Sequence, residues 1–174
     1  PRSHFEPIHG SLWGRALIIL RFSDFETDTI TEHEDIIADR GQVWWGWWKK
    51  RHEPKRVELL TTVQEAIRRA PVRIGLIDRV DRRYFAAVCD ALEFVEERAI
   101  PAPDPDLVPA YYRNRQFPAW FRISSIEPLA EAVWEREFGL APSGDETIYE
   151  TQRPKPVIDS QLIDCSVPKG HAGV

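Results

Sequence analysis

The chain contains no methionine, not even at position 1, so it is expected to be a piece of a longer protein. Cysteine is nearly absent too. Cys89 and Cys165 are the whole complement, and Cys89 lies in the apolar stretch 85–89, where a buried free thiol is the natural reading. That excludes a small disulfide-stapled domain and points to a reducing, cytoplasmic setting. Aliphatic runs are short, with Ala16–Leu20 among the longest, so no segment is read as crossing a membrane. No charged-then-apolar-then-small leader opens the chain. A basic excess is lacking as well: 23 Lys and Arg against 28 Asp and Glu give a net charge of -5. A non-specific duplex binder presents a broad cationic face instead.

Motifs that carry chemistry are equally scarce. None of the five histidines has a second histidine or a cysteine at metal-ligand spacing, and His33, among acidic neighbours, is expected on a solvated helix face. No Gly-rich phosphate loop follows a strand, Ser124 and Ser125 lack elbow glycines, and neither cysteine has an activating partner nearby. Carboxylates are too many for a catalytic pair to stand out. No catalytic residue, cofactor or metal is therefore expected, and the chain reads as a binding domain and not an enzyme.

What is present is aromatic. The 174 residues, 43% hydrophobic and 29% charged, suit one globular domain. Seven are tryptophans, four of them at Trp44, Trp45, Trp47 and Trp48. Lys49, Lys50, Arg51, His52, Lys55 and Arg56 follow directly, so a basic run abuts an aromatic one inside an acidic chain. Gly46 lets another chain or a ring approach closely, and indole faces stack on bases and attract cations. Large aromatics also build cores, and strand alternation makes at least two of these four structural. Tyr111, Tyr112 and Arg113 with Trp120 and Phe121 form a second aromatic group, able either to pack a loop down or to close over a base or phosphate.

The periodicities order these residues along an α+β chain. Residues 16–22 read as a buried strand. A helix from about 31 to 40 follows, with Thr31 and Glu34 at capping-box spacing, Ile30, Ile36 and Ile37 toward the core, and Gly41 as its stop. In the extended segment 42–48, alternation sets Trp45 and Trp47 on the face opposite Trp44 and Trp48 unless Gly46 bulges. Leu59, Leu60, Val63 and Ile67 mark a helix over 57–69 that ends before Pro71. Segments 72–77 and 84–95 make a hairpin, although 85–95 also fits a helix on pattern alone. Five prolines between Pro101 and Pro118 force a long extended connection of the kind that often carries function. A strand over 119–126 and a helix from Pro128 to Gly139 complete the domain. Residues 1–140 are expected to be the binding domain, and 141–174 a peripheral tail or linker to a missing downstream domain.

The order of these elements, with Ile74-Gly-Leu-Ile-Asp78, Tyr84-Phe-Ala-Ala-Val and Trp120-Phe-Arg-Ile-Ser-Ser-Ile126, resembles the PUA-like superfamily, particularly its EVE and YTH-type branch. That resemblance implies a small curved β-sheet or open barrel with flanking helices, holding an aromatic pocket that reads modified bases. On it, Trp44, Trp45, Trp47, Trp48 and Trp120 are the ligand-binding aromatics, with Trp47, Trp48 and Trp120 stacking. Tyr112 or Asp78 would contact the base edge, and Lys49, Lys50 and Arg113 would take phosphate. The implied partner is a nucleotide or modified nucleic acid. Val43-Trp-Trp-Gly-Trp-Trp-Lys-Lys50 and Pro118-Ala-Trp-Phe121 are also similar to a bacterial domain found ahead of calcineurin-like metallophosphoesterases. This second resemblance implies a regulatory or protein-interaction module on a downstream phosphoesterase domain in the same chain.

Overall fold

The computed structural model describes residues 18–24, 27–48, 55–78 and 80–138, and the backbone of 162–164. Its centre is a mixed sheet. The strands are β1 (Ile19–Phe22), β2 (Val43–Trp47), β3 (Val72–Asp78), β4 (Arg83–Phe94), β7 (Ala119–Leu129) and β8 (Leu162–Asp164), in the order β2-β7-β4-β3-β1-β8. Strand β1 runs parallel to β3 and β8, and the other pairings are antiparallel. The sheet curls into a half-barrel, the α+β architecture expected from sequence. A two-stranded ribbon, β5 (Ile100–Pro101) with β6 (Gln116–Phe117), sits beside it. Residues 83–89 pair with β3, and the strand continues to Phe94 against β7, so the hairpin reading holds over the helical one.

Helices α1 (Thr29–Arg40) and α2 (Val57–Ile67) form where apolar residues recur at helical spacing. Leu59, Leu60 and Val63 of α2 are buried, as their spacing requires. Helix α1 begins two residues before its expected start. Asp28, not Thr31, is the cap: its carboxylate accepts from Thr31 N at 3.1 Å, and Gly41 closes the helix in the left-handed conformation at φ 78°. The third helix, α3 (Glu131–Phe138), starts later than expected because β7 continues through Pro128. Strand β2 pairs with β7 only as far as Ile123. Beyond that point no described strand pairs with this edge of β7, and proline's missing N–H costs no ladder bond among the described residues.

The two faces of the sheet bury different cores. On one, Leu20, Trp45, Trp47, Ile74, Leu76, Phe121 and Ile123 pack with Ile30 of α1 and the leucines of α2. Removing each such aliphatic side chain from water stabilises the fold by roughly 1.5–3 kcal/mol. On the other face, Ile19 and Ala86 lie under Trp134 and Phe138 of α3, and Trp44 and Trp120 lie under the connection 100–118.

Candidate functional site

The connection 100–118 is a strap whose anchors are aromatic. Two 3₁₀ turns, Pro105–Leu107 and Ala110–Tyr112, bring Val108, Tyr112 and Phe117 down onto Trp44 and Trp120. The Trp120 ring stacks on Tyr112 at 5.9 Å between centroids and meets the edge of Phe117 at 4.9 Å, while its N–H donates to the Ile100 carbonyl at 2.9 Å. Gly46 is where the strap comes closest. A Cβ there would stand 2.5 Å from Phe117 Cδ2, so only a residue without a side chain leaves room for the ring. The close approach expected at Gly46 is thus made by the chain's own phenylalanine.

The sequence-predicted ligand residues separate accordingly. Register between β2 and β7 is unbroken from Val43 to Trp47, so Gly46 does not bulge and the tryptophans alternate as expected. Trp45 and Trp47 enter the main core, and Trp44, Trp120 and Tyr112 are buried beneath the strap. None of these five presents an open ring face. The indole N–H of Trp47 is buried without a hydrogen-bond partner, and Trp44 carries the Arg122 guanidinium 5.8 Å from its ring centre. Arg113 is exposed at the end of the second 3₁₀ turn, and Lys49 and Lys50 lie outside the described residues.

Asp78 is buried at the far end of β4 from the tryptophans. Its carboxylate accepts from Val80 N at 3.0 Å and from Asp81 N at 3.3 Å. It also receives Arg83 at 2.9 Å, and Arg83 reaches Asp24 and Asp28 besides. Burial opposes the charge on Arg83, but its bonds to Asp78 and Asp24 outweigh that and raise its pKa above the usual arginine value. The three carboxylates Asp24, Asp78 and Asp81 stand close enough to face one cation, and Arg83 already supplies a positive charge to two of them. Asp78 is thus committed to partners within the chain.

His33 is the residue that sequence reading placed wrongly. It is completely buried, not solvated. Its ring lies 4.3 Å from that of Trp45. Nδ1 lies 2.6 Å from the Thr29 carbonyl, which can only accept, so Nδ1 carries the proton. Nε2 is then the acceptor, and the Tyr112 hydroxyl donates to it. Burial pushes the His33 pKa down to about 4, against a smaller opposing effect of the Thr29 hydrogen bond. His33 therefore pins the strap to α1 as a neutral ring. Tyr111, packed beside Tyr112, has its phenol pKa raised by burial, and burial pushes the Cys89 thiol up to about 12. A thiol in that state is a poor nucleophile at neutral pH.

Trp48 differs from its neighbours. It is half-buried where β2 ends, and it lines a groove of about 450 Å³ with Lys55, Glu96, Glu97, Arg98, Ala99, Gln116 and Pro118. The wall is a two-residue turn: Val95 and Arg98 bridge, and Glu96 and Glu97 form the tip. Lys55, read from sequence as part of the basic run, holds this turn together. Its ammonium donates to the carbonyls of Val95 and Arg98, the latter at 2.9 Å, and stands 5.9 Å from the Phe94 ring centre. Gln116 and Pro118 arrive on the strap's last residues. The groove residues from 96 to 118 were missed in sequence. The one signal for them was the proline connection itself, whose length calls for a functional reading.

A family model described as Pua-like matches residues 18–146, most of the chain, and the chain belongs to that family. No curated protein matches it. No solved structure does either. Among the described residues, no helix is long and apolar enough to cross a membrane.

Proposed function

We propose that this Pua-like chain is a non-catalytic ligand-sensing domain that takes the base of a nucleotide, or of a modified nucleic acid, in the groove beside Trp48. Members of the family typically bind RNA or other nucleic acid. One observation carries the reading: of the four clustered tryptophans, Trp48 alone is only half-buried, packed at the margin of the strap's core, and it lines a groove of about 450 Å³, a volume suited to one base or nucleotide. Trp48 stacks on the base. Lys49 and Lys50, next in sequence, take phosphate, with Arg113 further along the strap. Trp44, Trp45, Trp47, Trp120 and Tyr112 brace the groove from behind instead of touching the ligand.

The test is an indole N–H NMR titration of the chain with the nucleoside monophosphates and with oligonucleotides carrying modified bases. Trp48 should shift while the buried indoles stay, and Trp48→Ala should weaken binding by about 1–3 kcal/mol, one stacking face. Affinity should fall with salt at a shallow slope, set by roughly two to four phosphate contacts, and Lys49→Gln with Lys50→Gln should flatten it. No response of any indole at millimolar ligand, or unchanged affinity in Trp48→Ala, would sink the proposal. The alternative, a docking module for an attached metallophosphoesterase domain, has less support. The exposed large apolar residues among those described, Val80 and Val95, lie at opposite ends of β4 and form no common patch.

A further inference from the structure

The strap over 100–118 keeps its main-chain hydrogen bonds to itself. Among the described residues they run between β5 and β6, within the two 3₁₀ turns, and across the bend from Arg115 N to the Tyr112 carbonyl. None joins the segment to the six-stranded sheet. Side chains hold it there instead. The Trp120 indole N–H donates to the Ile100 carbonyl at 2.9 Å, the Phe117 ring lies against Gly46 and Trp120, and the Tyr112 hydroxyl donates to His33 Nε2. Tyr111, beside it, interacts with Thr29, one turn before His33 on the same helix.

Lifting such a segment breaks none of its own main-chain bonds, whereas stripping a strand from the sheet breaks a ladder. The cost of opening is therefore a set of side-chain contacts, and a region held that way opens at a lower free energy than the core strands. Apolar contacts of Val108 and Phe117 with the indoles have no direction and yield gradually. The Tyr112–His33 bond does have direction. The strap covers the sheet face that bears Trp44 and Trp120, α1 packs on the opposite face with Trp45, and the bond joins the two. His33 is completely buried and its Nδ1 is already engaged on the Thr29 carbonyl, so opening takes from Nε2 the hydroxyl that satisfies it.

We infer that the strap opens and closes as one unit while the sheet stays folded, with the Tyr112–His33 bond as its latch. Because Gln116 and Pro118 ride on the strap, opening also removes one wall of the groove beside Trp48, and this gating rests on the base-binding reading above. Hydrogen exchange on the whole chain tests the latch without any ligand. The Trp120 indole N–H reports on the strap, and the ladder amides between β3 and β4 report on the sheet. In the wild type the indole proton should exchange faster than the ladder amides and depend less on added urea, since opening the strap exposes less surface than unfolding does. Tyr112→Phe keeps the ring stacked on Trp120 and removes the latch, so it should quicken the indole proton about tenfold. Val63→Ala, in the core on the opposite face, should quicken the ladder amides and leave the indole proton unchanged. An indole proton that exchanges no faster than the ladder, or that follows Val63→Ala, overturns the separate unit; one indifferent to Tyr112→Phe overturns the latch. Saturating nucleoside monophosphate should slow the indole exchange, because a ligand in the groove holds the strap closed. A nucleotide that shifts the Trp48 indole yet leaves the Trp120 exchange unchanged overturns the gating but keeps base binding. If no nucleoside monophosphate or modified oligonucleotide binds, the gating falls with the base-binding reading, and the exchange of the free chain still decides the latch.

Discussion

Lowering the pH should weaken the fold through His33 before Asp28 or Glu131 gives way. The folded protein keeps this ring neutral down to about pH 4, whereas the unfolded chain protonates it near the ordinary value of 6.5. Between those two values the unfolded state binds a proton that the native state refuses, so stability falls as pH falls, and the slope vanishes once both states are protonated. At roughly 1.4 kcal/mol per pH unit across that window, the loss is about 3 kcal/mol, a large fraction of the ~5–15 kcal/mol that holds a domain folded. Asp28 and Glu131, whose pKa values are lowered by hydrogen bonds to Thr31 and to Tyr84 respectively, begin to lose their contributions only below the ordinary carboxylate values of 3.8 and 4.5. The His33 loss therefore starts some two pH units earlier. Urea titrations at a series of pH values from 7.5 to 4, compared between the wild type and His33→Asn, isolate it from the other histidines. NMR of the imidazole Cε1–Hε1 group should show no His33 titration above about pH 4.5. A His33 midpoint near 6.5 in the folded protein, or equal pH slopes in both chains, would refute the buried neutral ring and its bond from Tyr112.

Two mutations probe the other supports of the site. Gly46→Ala puts a methyl carbon 2.5 Å from Phe117 Cδ2, in a ring that is 2% exposed and held by Tyr112 and Trp120. It should destabilise the protein by about 1–3 kcal/mol, read in thermal or urea unfolding, and Phe117→Val in the same chain should recover part of the loss. An additive double variant would show that the clash is not the cause. Arg83→Met removes the cation facing Asp24 and the fully buried Asp78. The cost should be on the order of 2 kcal/mol, less than for a fully enclosed pair because the Arg83 side chain is 30% exposed. A variant as stable as the wild type would show the network to be idle.

Most of the fold was legible because its signals are local. The leucines of α2, the stop at Gly41 and the alternation of Trp44 to Trp47 each follow from neighbours in sequence. The errors occur where a local rule met a distant partner. Pro128 reads as a helix start in isolation, but it lies on the stretch of β7 that β2 does not reach. His33 reads as solvated because Glu32 and Glu34 flank it, yet it falls three residues after Ile30 and four before Ile37, on the buried stripe of α1. That spacing was visible. Its partner, Tyr112, lies 79 residues away, and no periodicity announces it. The burial of Trp44 and Trp120 beneath the strap was hidden for the same reason. Nothing near Trp44 or Trp120 tells that the proline connection will fold back and cover them.

The covered rings set a limit on the groove beside them. Trp44, Trp120, Tyr112 and Phe117 together fix the strap that carries Gln116 and Pro118, while Lys55 fixes the turn that carries Glu96 and Glu97. Both walls are therefore held before any ligand arrives, which reduces the ordering cost of binding. The stacking surface, however, is one indole, worth about 1–3 kcal/mol, far from the ~8 kcal/mol of a micromolar complex. The remainder has to come from the polar rim and from phosphate contacts of the basic run that follows Trp48. Trp48→Ala should consequently weaken every base alike, by about 1–3 kcal/mol, because the stacking face is common to all of them.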